Sequence, residues 1–148
     1  MINRRDVLKA GVGGVMSLAA WHARAYATTA DQPLRVALIG CGWYGKTDLF
    51  HLLQVTPAEV VGLCDVDRQL VNEAAELVAQ RQSSRKSPPT FGDYRKLLAD
   101  QRPEVVLIGT PDHWHCLPMV EACKAGCDVY LQKPICYDVV EGQAMVAA

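Results

Sequence analysis

Six mostly apolar residues lead directly into a glycine-rich loop in the stretch Leu34-Arg35-Val36-Ala37-Leu38-Ile39-Gly40-Cys41-Gly42-Trp43-Tyr44-Gly45. The apolar run is typical of a buried strand, and residues 46–54 that follow have helical character. A G-x-G-x-x-G loop between a strand and a helix is the arrangement that holds the pyrophosphate of a dinucleotide. The stretch therefore predicts a dinucleotide-binding α/β domain.

The three glycines of this loop are expected to have different tasks. Gly40 would allow the tight turn, Gly42 would let the backbone approach a pyrophosphate, and Gly45 would let the helix pack against the strand. The N–H groups and the positive end of that helix attract phosphate. We therefore expect the loop to be the phosphate-binding part of the domain.

An acidic residue stands at the position where such domains recognise ribose. Asp65 lies twenty residues after Gly45, at the end of a second apolar run over residues 59–64. A carboxylate there accepts hydrogen bonds from ribose hydroxyls and repels a 2′-phosphate, so NAD is the expected cofactor. Arg68 close by keeps NADP as the less favoured alternative.

The rest of the chain alternates apolar runs with amphipathic stretches. Further strands are predicted at residues 90–91, 105–109 and 128–132, with helices between them and a polar loop over residues 81–89. Asp93 is placed to cap one helix, and Asp138 with Glu141 forms a capping box for the last. Continuous apolar strands separated by helices predict a doubly wound parallel sheet, which is a Rossmann domain.

Composition narrows the classes of function. The 148 residues are enough for one domain, and the net charge of -1 provides no basic field for nucleic acid or an anionic membrane. The six cysteines include no C-x-x-C pair, so the short-spaced zinc and redox signatures are absent. A metal held by His113, His115 and Cys116 stays open as an alternative, but we expect no metal site.

The first residues have the three parts of a secretory signal. Arg4-Arg5 precede an uncharged run over residues 10–21, and small residues alternate around Ala27. The arginine pair is of the twin-arginine type. We interpret residues 1–27 as a signal peptide and residues 28–33 as a linker, and expect export to the periplasm by the twin-arginine machinery. An ordinary N-terminal helix and an uncleaved membrane tether are the alternatives.

A second cluster follows the clearest strand. Residues 109–115 read Gly-Thr-Pro-Asp-His-Trp-His, and Lys133-Pro134 follow the next strand, so both belong to the edge where α/β sheets bind ligands. Together with the glycine loop and Cys64-Asp65-Val66-Asp67, these motifs resemble the Gfo/Idh/MocA family of glucose–fructose oxidoreductases and inositol dehydrogenases. The resemblance covers residues 34–148.

The resemblance implies a role for each matching residue. Gly40, Gly42, Tyr44 and Gly45 would wrap the pyrophosphate and Asp65 would hold the adenosine ribose, while Thr110, Pro111 and His115 would lie along the nicotinamide half. Lys133 would reach the substrate or the nicotinamide ribose, and Lys133 and His115 are the candidate catalytic residues. Pro134 would fix the backbone that aims Lys133, with a cis bond as one means. Gln132 stands where the family usually has glutamate, and its amide can still form hydrogen bonds but carries no charge. For His113 the alternatives are a role in the site and a position on a surface loop. For Trp114 they are a contact with the substrate and packing.

Three functions follow as hypotheses. The first is the cofactor-binding part of an exported NAD(P)-dependent oxidoreductase that transfers hydride to or from a hydroxyl-bearing carbon of a sugar or polyol. The second is a glycosidase of the same family, which oxidises a sugar carbon and cleaves by elimination. The third is a truncated, non-catalytic nucleotide-binding module.

The family's second α/β domain carries a catalytic histidine and aspartate and the oligomer contact, and it is absent from these residues. The Rossmann domain of residues 34–148 is therefore expected to be truncated at its C-terminus. A homo-oligomer is expected only where that domain is present.

Overall fold

The computed structural model describes residues 32–148, so the signal peptide predicted for residues 1–27 lies outside the described residues. The strands are β1 (Leu34–Ile39), β2 (Ala58–Cys64), β3 (Thr90–Phe91), β4 (Val105–Ile108) and β5 (Asp128–Leu131). The helices are α1 (Trp43–Val55), α2 (Arg68–Arg81), α3 (Tyr94–Gln101), α4 (Cys116–Lys124) and α5 (Val139–Ala147), with a 3₁₀ turn at Asp112–Trp114. None of the helices in this part of the chain has the length and apolarity needed to span a bilayer.

The five strands form one parallel sheet in the order β3-β2-β1-β4-β5. The chain builds outward from β1 to β3 on one side, then returns to β4 and continues to β5 on the other. This confirms the predicted doubly wound sheet. The reversal of strand order falls between β1 and β4, and the carboxyl ends of those two strands are where such sheets open a ligand crevice.

Strand β1 is buried on both faces, which explains its continuous apolar sequence. Val36 and Leu38 pack in a cluster with side chains of α1 and α2. Ala37 and Ile39 belong to a second cluster, which contains side chains of α3 and α4. Successive side chains of a strand point to opposite faces, so one strand supplies both halves of the core.

Two helices begin at the acidic N-cap residues predicted from the sequence. The Asp93 carboxylate accepts from the backbone N–H of Arg95 at 2.9 Å, and Asp138 accepts from Glu141 N–H at 2.9 Å. The Glu141 carboxylate accepts in turn from the N–H of Tyr137 at 2.9 Å, which completes the box one residue earlier than the usual N-cap partner. Helix α1 differs from the prediction, since it begins at Trp43 and not at residue 46.

The polar segment after α2 is anchored by a buried amide. Gln82 is 2 % exposed, and its Oε1 accepts from the N–H of Val60 at 2.9 Å. Its Nε2 donates to the carbonyl of Lys86 at 2.5 Å. Strand β3 is only two residues long, so this side chain serves as a hydrogen-bond partner for β2 where β3 is not present.

Candidate nucleotide-binding site

The predicted site residues meet at one edge of the sheet. The glycine loop follows β1, Asp65 follows β2, Thr110 follows β4 and Lys133 lies two residues after β5. Backbone hydrogen bonds extend the ladder into these loops: Gly40 N–H to Cys64 O at 2.8 Å, Gly109 N–H to Ile39 O at 2.9 Å and Gln132 N–H to Ile108 O at 3.1 Å. The four loops therefore begin side by side, as the parallel topology requires.

Three glycines bring the first turns of these loops into direct backbone contact. Gly40 has φ of +92°, and a Cβ there would lie 2.6 Å from the backbone nitrogen of Thr110. A Cβ at Gly45 would lie 2.0 Å from the carbonyl oxygen of Gly40, and one at Gly109 would lie 2.8 Å from Cα of Gly45. No real Cβ tolerates these distances, so the packing of α1 against β1 and β4 depends on all three. Gly109 lies directly after β4, and no sequence motif predicted this role for it.

Gly42 has a different reason to be glycine. Its φ of -64° and ψ of -176° suit any residue, and a Cβ there would meet no heavy atom of residues 32–148 within 4 Å. It is the N-cap of α1, and its first turn receives no side-chain cap within the described residues. The fold thus leaves open space in front of uncapped N–H groups. Such a cradle fits the pyrophosphate of a dinucleotide, which needs close backbone approach and hydrogen-bond donors.

Asp65 is held against the glycine loop. Its Oδ2 accepts from the N–H of Cys41 at 2.7 Å, and its Oδ1 accepts from the N–H of Asp67 at 2.9 Å. A carboxylate has further lone pairs, so it can still accept from ribose hydroxyls. Asp65 also borders a cleft of about 410 Å³ that Arg68 and Phe91 help to line. Asp65 and Arg68, on which the predicted preference for NAD over NADP rests, therefore share one cleft.

The cysteine inside the glycine loop is uncharged at neutral pH. Burial, and then the neighbouring Asp65 carboxylate, raise the pKa of the Cys41 thiol to about 12. Its Sγ donates to the carbonyl oxygen of Cys64 at 3.5 Å. A protonated thiol does not repel a phosphate, so Cys41 is compatible with the predicted role of the loop. Within residues 32–148 all six cysteines are free thiols.

His115 is buried between two of the loops. The side chain is 1 % exposed, with Nε2 2.8 Å from the carbonyl oxygen of Thr110 and Nδ1 2.8 Å from that of Pro134. Both partners only accept, so both contacts are hydrogen bonds when the ring carries two protons, and a neutral ring donates to one of them. This geometry gives His115 a positioning task. Its predicted catalytic and cofactor-binding role stays a prediction.

The neighbours of His115 divide between surface and site. His113 and Trp114 are exposed, and His113 Nδ1 lies 3.5 Å from the Asp112 carboxylate. The described residues contain no group of three His, Cys, Asp or Glu side chains that could hold a metal ion.

The Thr110 hydroxyl oxygen is inaccessible to solvent and has no hydrogen-bond partner in residues 32–148. A buried hydroxyl without a hydrogen-bond partner is uncommon in folded proteins.

The residues around Lys133 are joined by two hydrogen bonds that the sequence did not indicate. Lys133 and Pro134 are linked by a cis peptide bond. The Lys133 N–H donates to Gln132 Oε1 at 2.8 Å, and Gln132 Nε2 donates to Asp48 Oδ2 at 2.7 Å. Asp48 lies on α1, three residues after Gly45, and belongs to none of the motifs in the sequence. Tyr44, the predicted pyrophosphate contact, is exposed in the first turn of the same helix, and its ring packs edge-on with that of Trp43.

The fold and this edge define a class of protein, the dinucleotide-binding Rossmann domains. A family model described as "Oxidoreductase family, NAD-binding Rossmann fold" matches residues 34–148. The chain belongs to this family, Gfo/Idh/MocA, as the motifs predicted. Residues 34–148 are therefore an NAD-binding Rossmann domain.

Two individual relatives match most of this chain. "Glycosyl hydrolase family 109 protein 1" of Akkermansia muciniphila is 26% identical over 112 residues, which are 73% of this chain and 23% of that protein. D-apiose dehydrogenase of Paraburkholderia graminis is 29% identical over 121 residues, 82% of this chain and 30% of that one. The chain thus spans less than a third of the length of these two relatives.

Solved structures show the same fold. Myo-inositol 2-dehydrogenase from Lactobacillus plantarum superposes with a TM-score of 0.69 at 24% identity, covering 78% of this chain and 32% of that one. The WlbA dehydrogenase from Chromobacterium violaceum, in complex with NADH and UDP-GlcNAcA, gives 0.64 at 26% identity, with 80% and 32% covered.

Gly45 and Gly42 provide a matched test of the two reasons for glycine. We expect Gly45→Ala to lower the free energy of unfolding by about 2 kcal/mol or more, because its Cβ meets backbone that no rotamer change can move. Gly42→Ala should cost about 1 kcal/mol or less, because the position is open and the only penalty is that alanine is a poorer N-cap than glycine. Urea unfolding measures both, and an equal loss of stability in the two variants would contradict this account.

Proposed function

We propose that this chain is the cofactor-binding part of an NAD-dependent oxidoreductase that transfers hydride to or from a hydroxyl-bearing carbon of a sugar or polyol. The observation that carries the proposal is the open cradle at Gly42, in front of a helix whose packing leaves its first N–H groups uncapped. Relatives named as dehydrogenases of apiose and of inositol support a sugar or polyol as the substrate.

Each residue of the edge has a task in this proposal. The loop from Gly40 to Gly45 would bind the pyrophosphate, and Asp65 would accept from the adenosine ribose. Thr110 and Pro111 would lie along the nicotinamide half. NAD supplies the acceptor or donor of hydride when it is bound. The ammonium of Lys133, on an exposed turn at the same edge, would stabilise negative charge that develops on the substrate oxygen.

The preference for NAD over NADP rests on charge. The Asp65 carboxylate is fixed by two backbone N–H groups, so it would lie beside a 2′-phosphate and repel it. Arg68, which lines the same cleft, is the residue that would offset the repulsion between Asp65 and a 2′-phosphate. In this proposal Lys133 contacts the substrate, while the rest of the substrate pocket and any oligomer contact belong to a region that the longer relatives have outside the matched residues. A glycosidase that begins with the same oxidation would use the same cofactor site, and release of an aglycone without net NADH would identify it.

Calorimetric titration of the full 148-residue chain tests the cofactor. We expect saturable 1:1 binding of NADH and weaker binding of NADPH. Gly42→Val should weaken NADH binding by about 10-fold or more, because the added side chain fills the cradle at a cost typical of overpacking. Ala99→Val, at an exposed position of α3, is the control and should bind as the wild type does. Absence of NADH binding to the wild type, or full binding by Gly42→Val, would overturn the proposal.

Export belongs to the same proposal and rests on the sequence of residues 1–27. A protein that folds before export can retain its cofactor, which suits a nucleotide-dependent enzyme outside the cytoplasm. We expect the protein recovered from the periplasm to begin at Thr28, as read from its intact mass. An unprocessed chain confined to the cytoplasm would count against export.

A further inference from the structure

The side chain of Gln132 connects two parts of the site that are 84 residues apart in sequence. It lies directly after β5 and is partly buried, between Asp48 of α1 and the backbone of Lys133. Its Nε2 donates to Asp48 at 2.7 Å, and its Oε1 accepts from Lys133 N–H at 2.8 Å. This single amide therefore bridges the helix that follows the glycine loop and the residue proposed to act on the substrate oxygen.

The orientation of this amide is dictated by its partners. An ionised carboxylate such as that of Asp48 only accepts hydrogen bonds, and the Lys133 backbone N–H only donates. The NH₂ group of Gln132 must then face Asp48, and its oxygen must face Lys133. The reversed amide would lose both hydrogen bonds and place oxygen against oxygen. Asp48 thus fixes which end of Gln132 meets the Lys133 turn.

The same turn is held on its other side by His115. Its Nδ1 lies 2.8 Å from the carbonyl oxygen of Pro134, and its Nε2 lies 2.8 Å from that of Thr110. The backbone around Lys133 is thereby tied to α1 through Gln132 and to the loop after β4 through His115. An exposed lysine side chain on a backbone fixed at two points loses less freedom when it meets a ligand.

We propose that Asp48 is a positioning residue for Lys133, acting through Gln132, and that it keeps the Lys133 turn in register with the cofactor loop. This inference rests on the proposed function, because holding the Lys133 turn beside the cofactor loop matters only if the loop binds a cofactor. Asp48 and Gln132 act as a matched pair in which the negative charge resides on the helix. A glutamate at position 132 would face the Asp48 carboxylate, and two carboxylates at this distance repel each other.

The pair can be tested by exchanging its members. Gln132→Glu should break the bridge by repulsion, and Asp48→Ala should break it by removing the acceptor. The double variant combines Asp48→Asn with Gln132→Glu. In it the new amide at position 48 donates to one oxygen of the new carboxylate at position 132, while the other oxygen accepts from Lys133 N–H. The exchange therefore restores the bridge with the charge moved to the other side. Glu73→Gln, which removes a carboxylate bonded to Lys46 of α1, is the control.

Hydrogen exchange of the Lys133 backbone amide, followed by NMR without cofactor, is the first readout. We expect exchange about 10-fold faster in Gln132→Glu and Asp48→Ala, the value of one lost hydrogen bond, and within about 2-fold of wild type in the double variant and the control. Unchanged exchange in the single variants, or failure of the double variant to recover while its melting temperature is wild-type, would overturn the positioning role.

NADH affinity of the same proteins is the second readout. We expect the two broken variants to bind about 3-fold to 10-fold more weakly, with recovery in the double variant, because the turn is no longer held beside the cofactor. Equal affinity in all of them would overturn the coupling to the cofactor loop. A wild type that binds no NADH would instead refute the proposed function, while the exchange experiment would still decide whether Asp48 holds the turn.

Discussion

The contact between the backbones of Gly40, Gly45 and Gly109 is the constraint on which the site depends. It brings the turn after β1, the first turn of α1 and the end of β4 together with no side chain between them. The reversal of strand order falls at the same point, where sheets of this topology bind their ligands. As a result, no side chain of residues 32–148 caps the first N–H groups of α1, and none lies close to Gly42. A cradle for phosphate is thus a consequence of packing.

The acidic residues at this edge are held by neutral donors. Asp65 accepts from two backbone N–H groups, and Asp48 accepts from the amide of Gln132. Both carboxylates therefore have lone pairs left for other partners, while Cys41 stays protonated beside Asp65. This arrangement places an acidic side chain where ribose hydroxyls would bind and leaves the end of α1 for phosphate. The charge pattern fits the ribose and the pyrophosphate of a dinucleotide.

Short-range sequence patterns predicted most of the fold. The features that they did not predict depend on contacts between residues far apart in the sequence. The strand, loop and helix at residues 34–55, the caps at Asp93 and Asp138, and the parallel sheet all follow from short-range periodicity and capping chemistry. The burial of Gln82 and the pairing of Asp48 with Gln132 do not, because single polar residues carry no sign of a distant partner. His115 shows the same limit, since its sequence position suggested the cofactor and its ring faces two carbonyl groups.

A titration of the ¹⁵N-labelled chain with NAD tests the central claim most directly. If the cradle at Gly42 binds the pyrophosphate, the backbone amides of residues 41–45 and of Asp65 should show the largest, saturable shifts. The chemical shifts of amides around Gln82, which lies away from the carboxyl ends of the strands, should not change. Shifts centred on the amides around Gln82, or no saturable shift in residues 41–45, would contradict the claim that the packed glycines build a dinucleotide site.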